Sequence, residues 1–288
     1  MNPFEVIRLE AANFPVSRLC ELFELSTSGY YAFLKRGYPS RANADTRVVM
    51  KLRIMQKRVR GVYGARRARA ELDERVGRNR LARLMRENDL QARVPRRYKV
   101  TTDSAHNLPV APNLLKQNFS ATEINRVWVG DITYVWTAQG WCYLATLLDL
   151  HSRRVVGWAF ADHMRKELVL TALHRALKTR RPTAGLIHHT DRGSQYASAK
   201  YRRVLVDHEV APSMSRAGDC YDNAVAESFF ATLKKECLNR THFATRTEAY
   251  DAIVAYIDGF YNPTRRHSAL GYLSPIGYEE TCRHQLAA

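Results

Sequence analysis

The sequence predicts an α/β core domain with a mixed five-stranded sheet, preceded by small all-α units of helix-turn-helix shape. Three observations predict this: a change of texture near residue 125, β-rich runs interleaved with amphipathic helical periods after it, and a basic, helix-patterned stretch before it. With 288 residues and 45% hydrophobic content, the chain can hold two units, one of which buries a sizeable core by itself.

From Phe14 to Arg36, apolar Val16, Leu19, Cys20, Leu22 and Phe23 recur at helical spacing. Ser26-Thr27-Ser28-Gly29 breaks the period, and Tyr30, Tyr31, Phe33 and Leu34 resume it. Two short helices about a tight turn are expected within a first unit, residues 1–57. A second basic unit is expected over 58–98, with helices from Val62 to Glu74 and from Arg78 to Arg93. In the latter, Leu81, Leu84 and Met85 form an apolar face, while Arg78, Arg80, Arg83 and Arg86 take other sides. Two solvated basic helices packed together fit this pattern, and so does contact with DNA backbone and groove. Residues 99–124 lose periodicity and read as a linker.

The core, residues 125–288, begins with β-rich runs at Val127 to Trp136, Trp141 to Leu150 and Arg153 to Phe160. Short breaks at Ala138-Gln139-Gly140 and His151-Ser152 suit an antiparallel meander. An amphipathic helix from Arg165 to Arg181, a strand from Gly185 to Thr190, a helix from Ser198 to Glu209 and a strand from Val210 to Met214 follow. Helices from Tyr221 to Leu238 and from Thr245 to Asn262 close the series.

The formal charge of +17 makes a polyanion the first partner to consider. The excess is uneven: residues 1–119 hold 24 Lys and Arg against 11 acids, whereas residues 120–288 hold 21 against 17. Five cysteines without a CxxC pair argue for reduced thiols and a cytoplasmic setting. No signal-peptide pattern and no apolar run of membrane-spanning length is visible.

Asp131 falls in the first strand, Asp191 ends the fourth, and Glu227 lies in the helix after the fifth. Three carboxylates gathered from separate elements can hold divalent cations through hard oxygen ligands, and such ions clamp the oxygens of an in-line phosphoryl displacement. Local readings stand beside this one. Asp191 before Arg192-Gly193 suits an Asx-turn, Asp149 near Arg153 and Arg154 suits a turn or ion pair, and Asp219 and Asp222 suit helix caps. Asn223, Glu227 and Lys234 share a helical face away from Val225, Phe229 and Leu233. His189 can orient the pocket or serve as a hydrogen-bonded structural residue. Trp128, Trp136, Trp141 and Trp158 read as core or sheet-face residues rather than base-stacking platforms.

The motifs WVGDITYV, LLDLHSRRVVGW, HTDRGSQYAS, GDCYDNAVAESFFATLKKE and YNPTRRHSALGYLSP occur in that order, from Val127 to Pro275. Together with SGYYAF and YGARRARAEL they resemble the integrase-like subunit (orfB product) of DDE-type bacterial transposases of the insertion-sequence-three family. Thirty-five residues separate Asp191 from Glu227, as in that family's Asp, Asp, 35, Glu signature. The resemblance implies a ribonuclease H-like, retroviral-integrase-type core, with Asp131, Asp191 and Glu227 holding two Mg²⁺ or Mn²⁺ ions. It implies DNA cleavage and strand transfer at insertion-sequence ends, on double-stranded DNA carrying terminal inverted repeats and on target DNA. It also implies a homo-oligomer on DNA and an orfA-product partner or fusion, since the chain shows no sustained heptad repeat of its own.

Lys234 aligns with a family residue that touches DNA. Arg66, Arg67, Arg78, Arg80, Arg192, Arg265 and Arg266 are further candidates for DNA contact. The alternatives are a DNA-binding regulator with an inactive core, or another ribonuclease H-like nuclease. A zinc-bearing integrase front end is excluded, because residues 1–119 offer only Cys20 and His106.

Overall fold

The structure is a computed structural model describing residues 3–36, 40–72, 76–92, 110–115, 121–215 and 223–287. It divides into two compact units, Met1–Gln91 and Ala92–Ala288.

The first unit is all helical: α1 (Pro3–Glu10), α2 (Val16–Leu22), α3 (Thr27–Arg36), α4 (Ser40–Arg58), α5 (Ala65–Glu71) and α6 (Arg78–Glu87). Ile7, Leu19, Cys20 and Tyr30 bury together, which joins the first three helices. The expected break at Ser26 is the start of α3, where the Ser26 hydroxyl accepts the Gly29 N–H at 3.0 Å as a helix cap does. No sequence expectation covers α1 or α4, and α4 redraws the boundary placed at residue 57. It packs on α5 and α6. Its buried Gln56 donates to the carbonyls of Tyr63 (2.8 Å) and Leu90 (2.7 Å), and its Asp45 accepts Arg80 (2.6 Å) and Arg83 (2.9 Å) from α6. Those guanidiniums, Arg83 first, lower the Asp45 carboxyl below its ordinary range. Most of the expected linker and both Asp219 and Asp222 lie outside the described residues.

The second unit is built on β1 (Val127–Thr137), β2 (Gly140–Asp149), β3 (Val155–Ala161), β4 (Ile187–Thr190) and β5 (Ala211–Met214). The sheet order is β3-β2-β1-β4-β5, with β1, β2 and β3 antiparallel and β4 and β5 parallel to β1. The meander and the two later strands stand where the hydrophobic pattern put them. Two crossover helices make the parallel half possible: α7 (Lys166–Arg180) between β3 and β4, and α8 (Ala199–Asp207) between β4 and β5.

Helix α7 lays Leu168, Leu170, Ala172, Leu173 and Leu177 on Ala145, Leu147, Val156 and Ala159 of the sheet. Gly157 lets it come close, since a Cβ there would stand 2.3 Å from the Ala172 carbonyl oxygen. The other side receives α9 (Ala224–Glu236) and α10 (Arg246–Tyr256), which runs into a π-helical turn at Ile257–Tyr261. Asn262 then closes the edge of β3: its amide donates to the Val155 carbonyl and accepts the Val155 N–H, both at 3.0 Å, in place of a neighbouring strand.

The last helix, α11 (Pro275–Ala287), inserts the fully buried Glu279. Both of its oxygens meet Arg180 at 2.8 Å; Arg154 (2.7 Å) and the Ser152 hydroxyl (2.8 Å) complete the knot.

Candidate active site

Strands β1 and β4 lie parallel and in register, with Trp128 opposite His188, Val129 opposite His189 and Gly130 opposite Thr190. Extending that register by one residue sets Asp131 opposite Asp191, at the carboxyl end of the parallel pair, where adjacent strands are about 4.8 Å apart. Open α/β sheets place their ligand crevices at such ends. Each carboxylate is fixed by a local backbone donor. Asp131 Oδ1 accepts the Ile132 N–H at 2.7 Å, and Asp191 Oδ1 accepts the Gly193 N–H at 3.0 Å. The Asx-turn reading of Asp191 therefore holds together with the site reading, because the turn aims the second oxygen elsewhere.

Glu227 arrives on α9. Asn223, buried at the start of that helix, donates its amide to the Gly130 carbonyl at 3.4 Å and ties the first turn to the strand beside Asp131. Glu227 follows one turn later on the same face. Burial, then the charges of Asp191 and Glu227, push the Asp131 carboxyl well above its ordinary value; the Ile132 N–H and the Lys234 ammonium oppose this. Partial desolvation also raises Glu227, although it stands exposed. Burial lowers the half-buried Lys234, and the attraction of Asp131 partly restores it.

The three carboxylates thus share one electrostatic neighbourhood. Among the described residues, no three His, Cys, Asp or Glu side chains converge into a closed metal cage.

The other candidates divide. His189 is fully buried between the Ser213 (2.8 Å) and Ser215 (3.2 Å) hydroxyls, which is a structural role. Asp149 is a turn carboxylate that accepts the backbone N–H groups of Asn125 (2.6 Å), His151 (3.0 Å) and Ser152 (2.9 Å). Arg192 donates to the Ser215 carbonyl at 2.7 Å, and Arg266 donates to the Tyr272 carbonyl at 2.8 Å.

Arg265 is a correction. Its fork lies on the two Glu236 oxygens at 2.8 and 2.7 Å, and with 3% exposure it has no surface to offer a phosphate. In the first unit Arg66 and Arg78 are exposed, Arg67 lies 5.8 Å over the Tyr63 ring, and Arg80 is engaged by Asp45. The sequence reading passed over Gly130, whose Cβ would stand 2.8 Å from the His188 ring. A glycine inside a strand pattern was the available signal.

The mixed sheet in the order β3-β2-β1-β4-β5, with helices against it, is that of an integrase-type core, and Asp131 within β1, Asp191 just after β4 and Glu227 on α9 are its candidate carboxylates. Residues 121–220 and 208–275 match integrase core domain families, and residues 44–98 match an HTH-like domain family. The chain is 47% identical over 273 residues to the insertion element IS600 uncharacterized 31 kDa protein of Shigella sonnei, covering 94% of this chain and 100% of that protein. It is 38% identical over 282 residues to transposase InsF for insertion sequence IS3A of Escherichia coli K12, covering 95% and 96%. The chain belongs to this IS3 family of InsF-type transposases. The magnesium-bound HTLV-2 integrase catalytic core, in its dimeric form, is similar to it at 15% identity, with a TM-score of 0.42 over 55% of this chain and 98% of that one.

Proposed function

We propose that Asp131, Asp191 and Glu227 are the catalytic carboxylates of a DDE transposase that cleaves DNA at insertion-sequence ends and joins those ends to target DNA. The observation that carries this is the extended β1–β4 register, which sets Asp131 opposite Asp191, together with the influence of both Asp191 and Glu227 on the Asp131 carboxyl.

The donor set is all oxygen and mutually repulsive, with Asp131 desolvated, which suits hard divalent cations. Asp131, Asp191 and Glu227 would hold two Mg²⁺ or Mn²⁺ ions. When bound, such ions supply Lewis-acid stabilisation of the phosphoryl group as it is displaced in line. The chain's own part is positional. The backbone N–H groups of Ile132 and Gly193 fix the two aspartates, and Asn223 holds α9 against β1 so that Glu227 completes the set. Water acts as nucleophile in cleavage and a DNA 3′-hydroxyl in joining, with no covalent enzyme intermediate. Lys234, close enough to Asp131 for their charges to interact, meets a backbone phosphate in this reading.

In the first unit Arg66, Arg67 and Arg78 provide the sequence-independent part of DNA binding. A homo-oligomer on DNA and fusion to an orfA-type partner complete the proposal, the fusion supplying the coiled coil this chain lacks.

Strand transfer on labelled DNA carrying the element's own terminal repeats, in Mg²⁺, tests the reading. Joining by the wild type and none by Glu227→Gln is expected. Equal joining by both overturns the carboxylate assignment.

A further inference from the structure

Beyond Asp131, strand β1 continues to Thr137, and one face of its hairpin with β2 stands bare. Directly paired residues of antiparallel strands share a face. Tyr134 with Tyr143 and Trp136 with Trp141 therefore lie on the side that, farther along, buries Trp128 under the α7 layer. Helix α7 covers β2 and β3 lower down, and at the tip Trp136 remains 57% and Trp141 52% exposed.

The rings brace one another edge to face, Trp136 and Trp141 at 4.8 Å and Tyr134 and Tyr143 at 5.3 Å between centroids. From the other face the tip is tied down: the Ala138 N–H donates to the Phe243 carbonyl and the Arg246 N–H to the Gln139 side chain, both at 2.9 Å. A rigid, exposed aromatic face of this kind marks a binding surface.

Its surroundings indicate the partner. Strand β3 ends at Ala161, opposite Tyr143, and α7 begins five residues later on the same face of the sheet. Arg165 and Lys166, both exposed and in no ion pair with any described residue, therefore border the aromatic face, where the α7 N-terminus adds its partial positive charge. The same loop is bound to the Asp191 turn, because the Gln195 amide donates to the Met164 carbonyl at 3.0 Å. Tyr134 is three residues from Asp131, roughly 10 Å along the strand, and strand alternation puts the Asp131 side chain on the opposite face of the sheet. Stacking surface and cations together match the chemistry of unpaired nucleic acid, in which every base has a face to stack and every linkage a negative charge. A second copy would bring Arg165 and Lys166 against another basic chain, so charge complementarity favours the polyanion.

We propose that the aromatic face of the β1–β2 hairpin, on the side of the sheet opposite the Asp131 side chain, binds unpaired nucleotides of the DNA whose reaction is assigned to the carboxylates. Bases stack on Tyr134, Trp136, Trp141 and Tyr143, and phosphates meet Arg165 and Lys166. The proposal rests on the DNA reaction assigned to those carboxylates and adds the part of the substrate that this face holds.

The test is titration of the full chain, without divalent metal so that no cleavage occurs, with a short oligothymidylate and with duplex DNA of equal length. Trp128 and Trp158 are buried, so acrylamide-quenchable emission reports Trp136 and Trp141. Single strands are expected to quench and shield that emission. Trp136→Leu with Trp141→Leu is expected to weaken single-strand affinity about tenfold or more, with duplex affinity changed less than about twofold. Trp136→Phe with Trp141→Phe, which keeps stacking faces and tests the idea even if the leucine pair folds poorly, is expected to retain most of the affinity. Arg165→Ala with Lys166→Ala is expected to lower the salt slope of single-strand binding by about one to two.

Absence of shielding, or equal losses on single strands and duplex, overturns the proposal. Conversion of a wild-type dimer to a monomer by the leucine pair with DNA affinity intact also overturns it and gives the face to a second copy. Strand transfer is scored separately on the wild type. Joining without shielding removes only the platform, whereas shielding without joining counts against the carboxylate assignment.

Discussion

The core domain treats its buried acids in two opposite ways. Glu236 and Glu279 are 7% and 0% exposed, and each is met by arginine. Arg265 grips both oxygens of Glu236 while the Tyr256 hydroxyl donates to one of them at 2.9 Å, and Arg180 and Arg154 hold Glu279 below its ordinary range against the upward push of burial. Asp131 is desolvated as well, yet its largest electrostatic neighbours are two further carboxylates, and its proton affinity is raised. Paired acids lock elements together: Glu236 joins α9 to the segment after α10, and Glu279 joins α11 to α7 and the β2–β3 turn. Acids set against acids weaken the fold locally and create a demand for cations. Of these three desolvated carboxylates, the two whose counter-charge the chain supplies hold elements together, and the one set against further acids is the candidate for chemistry.

The largest expected effects separate the two kinds. Asp191→Asn or Glu227→Gln is expected to lower strand transfer by roughly a thousandfold or more while leaving duplex binding in place, as measured by gel assays of joining and binding side by side. Asp131→Asn shares that loss and is expected to raise the melting temperature of the metal-free protein, because it removes a desolvated, repelled charge. A lowered melting temperature would put Asp131 with the paired acids.

Next in size, Arg265→Met is expected to cost about 3–5 kcal/mol in urea unfolding, since it strands the Glu236 charge. Adding Glu236→Gln is expected to recover part of that loss. Unchanged stability with reduced DNA affinity would return Arg265 to the surface role that the structure denies it.

A third effect separates the paired acids from a buried group kept neutral. His188 is fully buried; its Nδ1 lies 3.3 Å from the Trp128 carbonyl and its Nε2 2.7 Å from the Tyr201 hydroxyl. With Nδ1–H donating to the carbonyl, Nε2 accepts from the Tyr201 hydroxyl, and a second proton would put a charge in a fully buried place. Burial lowers its pKa from 6.5 to about 4. Below 6.5 the unfolded chain takes up a proton that the native state refuses. Stability therefore falls as pH drops from 6.5 towards 4, by about 3 kcal/mol in all. Glu279, lowered instead, gives up its contribution only at more acid pH, as it is protonated. Urea midpoints of His188→Gln across this range are expected to lose the upper slope and keep the lower one.

Most of the sheet was legible because its signals are local. Alternation in Val127 to Trp136 and the glycine-marked hairpin at residue 140 specify β1 and β2, and the amphipathic run after Arg165 specifies α7. Helix α4 was not, because its apolar residues Val48, Leu52 and Met55 sit among charges that read as a solvated stretch; only packing against α5 and α6 exposes the stripe. The three carboxylates became visible through a spacing shared with a family, not through physics that favours them over 25 other acids. Arg265 failed for the complementary reason. In sequence it stands in a basic loop beside Arg266, and its partner Glu236 is 29 residues away. Long-range pairing of a charge leaves no local trace. The tryptophans show the same limit, since alternation places Trp136 on a face without saying whether any helix covers it.

The smallest expected effect falls on Lys234, a described cation whose charge acts on Asp131. Lys234 lies on the Glu227 face of α9, half-buried, with Asp131 holding its charge against desolvation. If its role were to neutralise Asp131, as Arg265 neutralises Glu236, Lys234→Gln would destabilise the fold and leave DNA affinity alone. If it meets a phosphate, the same change lowers affinity for terminal-repeat DNA about tenfold and the salt slope by about one, with melting nearly unmoved. The second result is expected. A flexible ammonium beside the carboxylates proposed to hold divalent ions is poorly suited to a permanent pairing. Lys234→Arg is then expected to retain most of the affinity, whereas a structural pair in so confined a place would not accept the larger guanidinium.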